Sequence, residues 1–499
     1  MDTVAYKGVA VIEKSELPDR WTSASEIVRR IAAREQSAVE ATMDALQRLE
    51  RLNPTYRAVT FTDADAALNA AADVDRRLAS GAPVGTVAGL PTLMKDLYGF
   101  RPGWPTTLGG LSAARDDVAP AGVWSRYPQQ ITAGDGILLG QTNSSTFGFS
   151  GVTDNATFGP SRNPFESTRN TGGSSGGSAG AVASGMVAAA GASDAGGSIR
   201  IPAAWTNTFG FQPSAGRVPS TPRPSLFHLG PHLYEGPVTR TVEDAVLIMN
   251  ALQGFDPHDP YSAPSAPFSP DLRHRGVRGM RIGLSDDLGG FPVNPLIRET
   301  IARAAEKFEQ LGAIVEPVRL DLTYSHDDLT RMWLRSVGLL MLADLDAFRD
   351  QGRPLSPDDL PATVHHWTEE ARGMTVSEVR QDRVMRTAVL DGLLEATAQH
   401  DLLVGPTVTE LPVRNAANQV TVGPSMVDGQ PVNPLIGWCP TYLTNFSGSP
   451  SASIPAGLVD GLPVGMLVIG RKHRDEDVFA AAAALEAAHP WAHLYSRVH

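Results

Sequence analysis

Residues 172–200 read GGSSGGSAGAVASGMVAAAGASDAGGSIR, two glycine- and serine-rich clusters on either side of a run of small apolar side chains. Gly/Ser text alone is compatible with a flexible linker. The middle argues against one. Residues 179–192 are almost all Ala, Val, Gly and Met and carry no charge. Alanine-rich sequence favours helix, and small side chains let neighbouring elements approach closely. The stretch therefore predicts a buried helix over 179–192, entered from one serine loop and left through another.

The second loop carries the sharper signal. In Asp194-Ala-Gly-Gly-Ser-Ile-Arg200, two glycines directly precede a serine. Glycine permits positive φ and a close approach to the backbone. Successive N–H groups in such a turn can converge into an anion-binding nest, and a serine there has its own oxyanion hole attached. Its hydroxyl is a poor nucleophile until a base takes the proton. No histidine lies between Met1 and Phe227, so lysine is the other candidate base. The chain has only Lys7, Lys14, Lys95, Lys307 and Lys472. The first two lie in a tail, Lys307 in an amphipathic helix and Lys472 in a charged turn. Lys95 follows the apolar run 87–94, which reads as a buried strand. Burial disfavours the ammonium form, which makes Lys95 a candidate neutral base. The competing reading is a structural ion pair with Asp96.

Lys95, Gly-Gly-Ser174-Ser175-Gly-Gly-Ser and Asp194-Ala-Gly-Gly-Ser198-Ile-Arg200-Ile-Pro together resemble the amidase signature family, whose members use a Ser–cis-Ser–Lys triad. The resemblance runs from about residue 25 to the C-terminus and is densest over 85–220. The segment Leu-Pro-Val-Gly-Met-Leu-Val-Ile at 462–469 is similar to that of the bacterial nylon-oligomer cyclic dimer hydrolases, among other members.

What the resemblance implies is specific. Ser198 is the acylated nucleophile. Ser174, entered through a cis peptide bond, relays the proton to Lys95. The backbone N–H groups of Ala195, Gly196, Gly197 and Ser198 hold the oxyanion. Ser175 and Asp194 orient the loop, and Arg200 either anchors the backbone or makes a structural ion pair. The implied fold is α/β, a single large domain with a central mixed β-sheet covered by helices on both faces. The implied reaction is hydrolysis of an aryl or alkyl carboxylic amide, with carbamates and esters in range, using no cofactor and no metal. The alternative within the family is a glutaminase-type subunit of a tRNA-dependent amidotransferase complex. Members commonly have Lys where Gln141 stands, Glu near Thr146 and Lys in place of Gln212. These departures, with the acidic balance, favour a stand-alone hydrolase.

A net charge of −12 argues against a nucleic-acid surface, which would need a basic stripe. A single cysteine, Cys439, excludes a disulfide framework and a cysteine-built metal site. No signal peptide is evident, and no run is long and apolar enough to span a bilayer. These features predict a soluble cytoplasmic enzyme acting on a small-molecule amide, with no nucleic-acid or membrane partner. A homodimer is compatible with the sequence.

Along the chain, 1–85 reads as an irregular arm to about residue 20 followed by packing helices. Ser23-Ala-Ser-Glu26 and Ser37-Ala-Val-Glu40 each fit a capping box. Asn53-Pro54 should stop the second helix, and a third covers 63–79. Residues 86–499 form the catalytic domain. Strand, helix and strand alternate over 280–317, the pattern of an α/β fold. Two excursions, 254–279 and 325–440, the second largely helical over 325–399 and a long loop over 410–436, are expected to shape the substrate pocket. Its candidate lining is Tyr98, Phe147, Phe149, Trp333, Ile436 and Cys439. Gly172-Gly-Ser174-Ser-Gly176 also satisfies the nucleophile-elbow pattern of α/β-hydrolases. That pattern needs a buried strand before it, and 163–170 is polar.

Overall fold

Eleven strands pair into one mixed sheet in the computed structural model of the protein, which describes residues 20–223, 226–227, 233–269, 272–417 and 420–498. The arm expected before residue 20 lies outside the described residues. In chain order the strands are β1 (Val59–Thr62), β2 (Pro91–Lys95), β3 (Ile137–Thr142), β4 (Ala189–Asp194), β5 (Phe209–Gln212) and β6 (Tyr234–Thr239). They continue with β7 (Arg281–Leu284), β8 (Ile314–Pro317), β9 (Leu402–Pro406), β10 (Ser451–Val459) and β11 (Leu462–Gly470). Their order across the sheet is β1-β3-β2-β4-β6-β5-β10-β11-β9-β7-β8. The β2–β3, β2–β4, β7–β8 and β7–β9 pairs are parallel. The remaining pairs are antiparallel.

Successive side chains of a strand point to opposite faces, and the core divides accordingly. Leu402, Val404, Met466 and Val468 join one apolar cluster, while Leu403, Leu467 and Ile469 join another. The first cluster also takes in the N-terminal helices and the closing helix Asp475–Ala488. The second takes in the long helix His326–Asp350. The sheet is therefore covered on both faces, as expected. Among the described residues, no helix is long and apolar enough to cross a membrane.

Two expectations are corrected. The run 179–192 is not one helix. A short buried helix, Gly176–Ala183, ends at Ser184, and Gly185 at φ +79° turns the chain toward β4. Pairing decides the second half, because β4 lies between β2 and β6 in the sheet. The small residues answer to packing rather than propensity. A Cβ on Gly191 would sit 2.5 Å from the Tyr127 ring, and one on Gly177 would sit 2.3 Å from the Asn143 backbone nitrogen. The second correction concerns the helix opened by the complete Ser37–Glu40 capping box. It runs through Pro54 to Tyr56 and ends at Arg57 in the left-handed conformation. A proline this close to a helix end costs one ladder hydrogen bond. The Asn53 side chain then accepts from the N–H groups of Ala58 and Val59.

The region 325–399 is helical as read, in the segments His326–Asp350, Ala362–Gly373 and Val376–Thr397. The polar segment before Gly172 contains a strand, Glu166–Asn170, but it is mostly exposed and pairs in a separate two-stranded sheet.

Candidate active site

Parallel pairing of β2 with β4 brings their C-terminal ends to the same edge of the sheet. Lys95 is the last residue of β2, and Asp194 is the last of β4. The loop after β4 carries Ser198 into the helix Arg200–Thr206. The peptide bond between Gly173 and Ser174 is cis, and Ser174 stands just ahead of the helix Gly176–Ala183. The two serine loops lie side by side, with the Ser175 N–H donating to the Ser198 carbonyl at 3.2 Å.

Lys95 Nζ is buried and lies 2.7 Å from Ser174 Oγ, 3.1 Å from Ser193 Oγ and 3.4 Å from the Ser193 carbonyl oxygen. Asp96 does not serve as its ion-pair partner. The Asp96 carboxylate instead accepts from the Thr107 hydroxyl and from the N–H groups of Thr107 and Gly109. Burial pushes the Lys95 amine down to about 7, against the partial opposition of the Asp194 and Asp96 charges.

Behind the Ser198 loop is a fully buried ion pair. Arg200 Nε and Nη2 donate to the two carboxylate oxygens of Asp194 at 3.0 and 2.9 Å. The remaining guanidinium hydrogens reach the Thr441 carbonyl, the Thr444 and Ser451 hydroxyls and Asn445 Oδ1. Burial alone would raise Asp194, but Arg200 and the hydrogen bonds hold it below the usual carboxylate range. Asp194 also accepts from the N–H groups of Gly197 at 2.6 Å and Ile199 at 3.0 Å. Gly197 N–H is thus turned to Asp194 rather than left open. Among the described residues, the N–H groups of Gly196 and Ser198 meet no acceptor. Ser175 Oγ donates to the Ser193 carbonyl.

Phe147, Phe149, Trp333, Ile436 and Cys439 are all buried in the apolar cluster on this side of the sheet, and Tyr98 packs against it. Phe149 and Trp333 are stacked with ring centroids 6.1 Å apart. The Tyr98 hydroxyl donates to Asp344 Oδ2 at 2.7 Å. Of the neutral departures, Gln141 donates to the Pro105 carbonyl and Gln212 to the Ser449 carbonyl.

The sequence reading missed Ser193, which holds Lys95 from β4, and missed Thr441 and Asn445. The hydroxyl of Thr441 donates to the Gly196 carbonyl, and the Asn445 amide donates to Asp194 Oδ1. Strand alternation could have placed Ser193 beside Lys95 had β4 been recognised. The other two come from a distant stretch with no local signature.

With this geometry in place, comparison with known proteins decides the family. The Amidase family model matches residues 40–479. The chain belongs to the amidase signature family. It is similar to the acylamidase of Rhodococcus erythropolis, 32% identical, with 95% of this chain and 96% of that protein covered. It is also 32% identical to a glutamyl-tRNA(Gln) amidotransferase subunit of Acidothermus cellulolyticus, covering 94% of each chain. Among solved structures, a bacterial aryl acylamidase of the amidase signature family is 49% identical. It matches at a TM-score of 0.94 over 96% of this chain and 98% of its own. A substrate-bound 6-aminohexanoate cyclic dimer hydrolase is 25% identical and matches at 0.83 over 95% and 98%. This family member is an amidase with the single-domain mixed-sheet architecture of those structures.

Proposed function

We propose that this amidase hydrolyses aryl and small alkyl carboxylic amides through an acyl-enzyme on Ser198. The observation that carries the reading is a buried amine, held near neutrality by its surroundings, 2.7 Å from a serine hydroxyl oxygen.

As Ser198 Oγ attacks the amide carbonyl carbon, its proton passes to Ser174 Oγ and the Ser174 proton passes to neutral Lys95. The carbonyl oxygen becomes an oxyanion, held by backbone N–H groups within 195–198. Among the described residues, the N–H groups of Ala195, Gly196 and Ser198 are open there, while Gly197 is engaged by Asp194. Collapse breaks the C–N bond, and the relay returns the proton to the leaving nitrogen. That return matters because an amine leaves poorly without it. Water then attacks the acyl carbon by the same route, releasing the carboxylic acid and restoring Ser198. Ser175, Asp194 and Arg200 position the loops.

The substrate class rests on two supports. The candidate lining of Tyr98, Phe147, Phe149, Trp333, Ile436 and Cys439 is apolar and aromatic, and the 49% identical structure is an aryl acylamidase. A stand-alone cytoplasmic enzyme fits this class.

The 32% identity to an amidotransferase component favours a second reading, a glutaminase within a complex. Assaying the isolated protein with p-nitroacetanilide and with glutamine separates the two. Anilide turnover without glutaminase activity supports the hydrolase reading. Glutamine turnover without anilide cleavage overturns it.

A further inference from the structure

Two successive carbonyls of the Ser198 loop are each held from outside the loop. The Trp333 indole Nε1–H donates to the Ala195 carbonyl at 3.0 Å. The Thr441 hydroxyl donates to the Gly196 carbonyl at 2.7 Å. In a trans peptide the C=O and the following N–H point in opposite directions from one rigid plane. Fixing a carbonyl therefore fixes the next N–H. Thr441 sets the plane whose N–H, that of Gly197, reaches Asp194. Trp333 sets the plane whose N–H belongs to Gly196, and that N–H meets no acceptor among the described residues.

Trp333 is well built for this. It is 2% exposed, stacks on Phe149 and lies directly over Gly196, where a Cβ would come within 2.4 Å of the indole nitrogen. Absence of a side chain at 196 is what lets the indole reach the neighbouring carbonyl. The donor comes from the His326–Asp350 helix, in the excursion beyond the Lys95 and serine motifs.

We propose that Trp333 is a positioning residue for catalysis: by holding the Ala195 carbonyl, it keeps the Gly196 N–H aimed at the oxyanion. This rests on the acyl-enzyme reading above. Trp333 thereby acts on the reacting oxygen through the backbone. A candidate pocket wall becomes a support of the transition state.

The test replaces Trp333 with Phe, and separately with 3-benzothienylalanine, which keeps the bicyclic shape and lacks the N–H. Removing an oxyanion donor outright costs on the order of 10²–10³ in kcat; releasing a donor that can still drift into place costs less, about tenfold. The expected result for both variants is that kcat on p-nitroacetanilide falls about tenfold with KM within about twofold. Labelling of Ser198 by a fluorophosphonate, whose phosphoryl oxygen needs the same donor, should slow to a similar extent. Inhibition by the neutral product 4-nitroaniline should stay within about twofold. The benzothienyl variant covers the case in which the Phe variant fails to fold. Wild-type kcat and labelling in the benzothienyl variant would overturn the proposal, and so would a rise in KM with unchanged kcat. Wild-type enzyme and Ser198→Ala run in parallel. Labelling that is equal in those two would instead overturn the acyl-enzyme reading itself.

Discussion

Lys95 Nζ lies 2.7 Å from Ser174 Oγ, and its other close polar neighbours are the hydroxyl and carbonyl of Ser193. An amine in such a setting works as a base only when neutral. Burial brings it down to about 7, so the base form appears as pH rises through that value. We expect kcat/KM on an anilide to climb from pH 6 and level off by about pH 8. A pH–rate profile with chemistry rate-limiting checks this, and a flat profile would count against a lysine base.

The same depressed value makes Lys95 a stability liability with a definite pH signature. The unfolded chain holds this proton up to about 10.4, whereas the folded chain gives it up near 7. Between those values the unfolded state binds more protons, so the native contribution of this site improves as pH rises. Lys95→Met removes the effect. Its stability advantage over wild type should grow as pH falls toward 7 and stay constant below. Denaturant unfolding of both proteins at pH 6, 7, 8 and 9 measures it. An advantage that stays flat from pH 6 to 9 would show that the lysine is held charged.

Asp194→Ala should cost about 3–5 kcal/mol, the typical penalty for leaving one member of a buried ion pair unpartnered. Arg200, the residue left behind, is completely buried. The loss should exceed that of the double variant Asp194→Ala/Arg200→Met, in which no buried charge is stranded. Chemical denaturation of the two variants distinguishes a fully engaged pair from a dispensable one.

Gly177→Ala tests the tight seat of the helix behind Ser174. The new Cβ would fall 2.3 Å from the Asn143 backbone nitrogen and 2.5 Å from the Ala58 carbonyl oxygen. Backbone cannot swing aside as a side chain can. We expect a loss of about 1–3 kcal/mol from overpacking, together with slower acylation as Ser174 shifts. Unchanged stability and unchanged rate would mean that the helix has slack.

Much of the site was legible because its chemistry is encoded in contiguous text. Lys95 closes an apolar strand, Ser174 sits in one glycine-rich loop and Ser198 in another, and each motif carries its role locally. The parts that were not legible depend on tertiary placement. Alanine-rich 189–192 reads as the end of a helix by propensity, yet it belongs to β4 because β2 and β6 flank it. That error hid Ser193 from view beside Lys95. Thr441 and Asn445 bond to the Ser198 loop across about 245 positions of sequence, with nothing local to announce them. Asp96 shows the reverse failure, since adjacency to Lys95 suggested an ion pair that its hydrogen bonds to Thr107 and Gly109 preclude.

The most direct test of the whole account is to trap the covalent intermediate. Wild-type enzyme is mixed with p-nitrophenyl acetate, quenched in acid during the burst, digested and mapped by mass spectrometry. We predict one acetyl group on Ser198, absent in Ser198→Ala and accumulating far more slowly in Lys95→Ala. An acetyl group on Ser174, or turnover with no covalent acyl species in any variant, would contradict it.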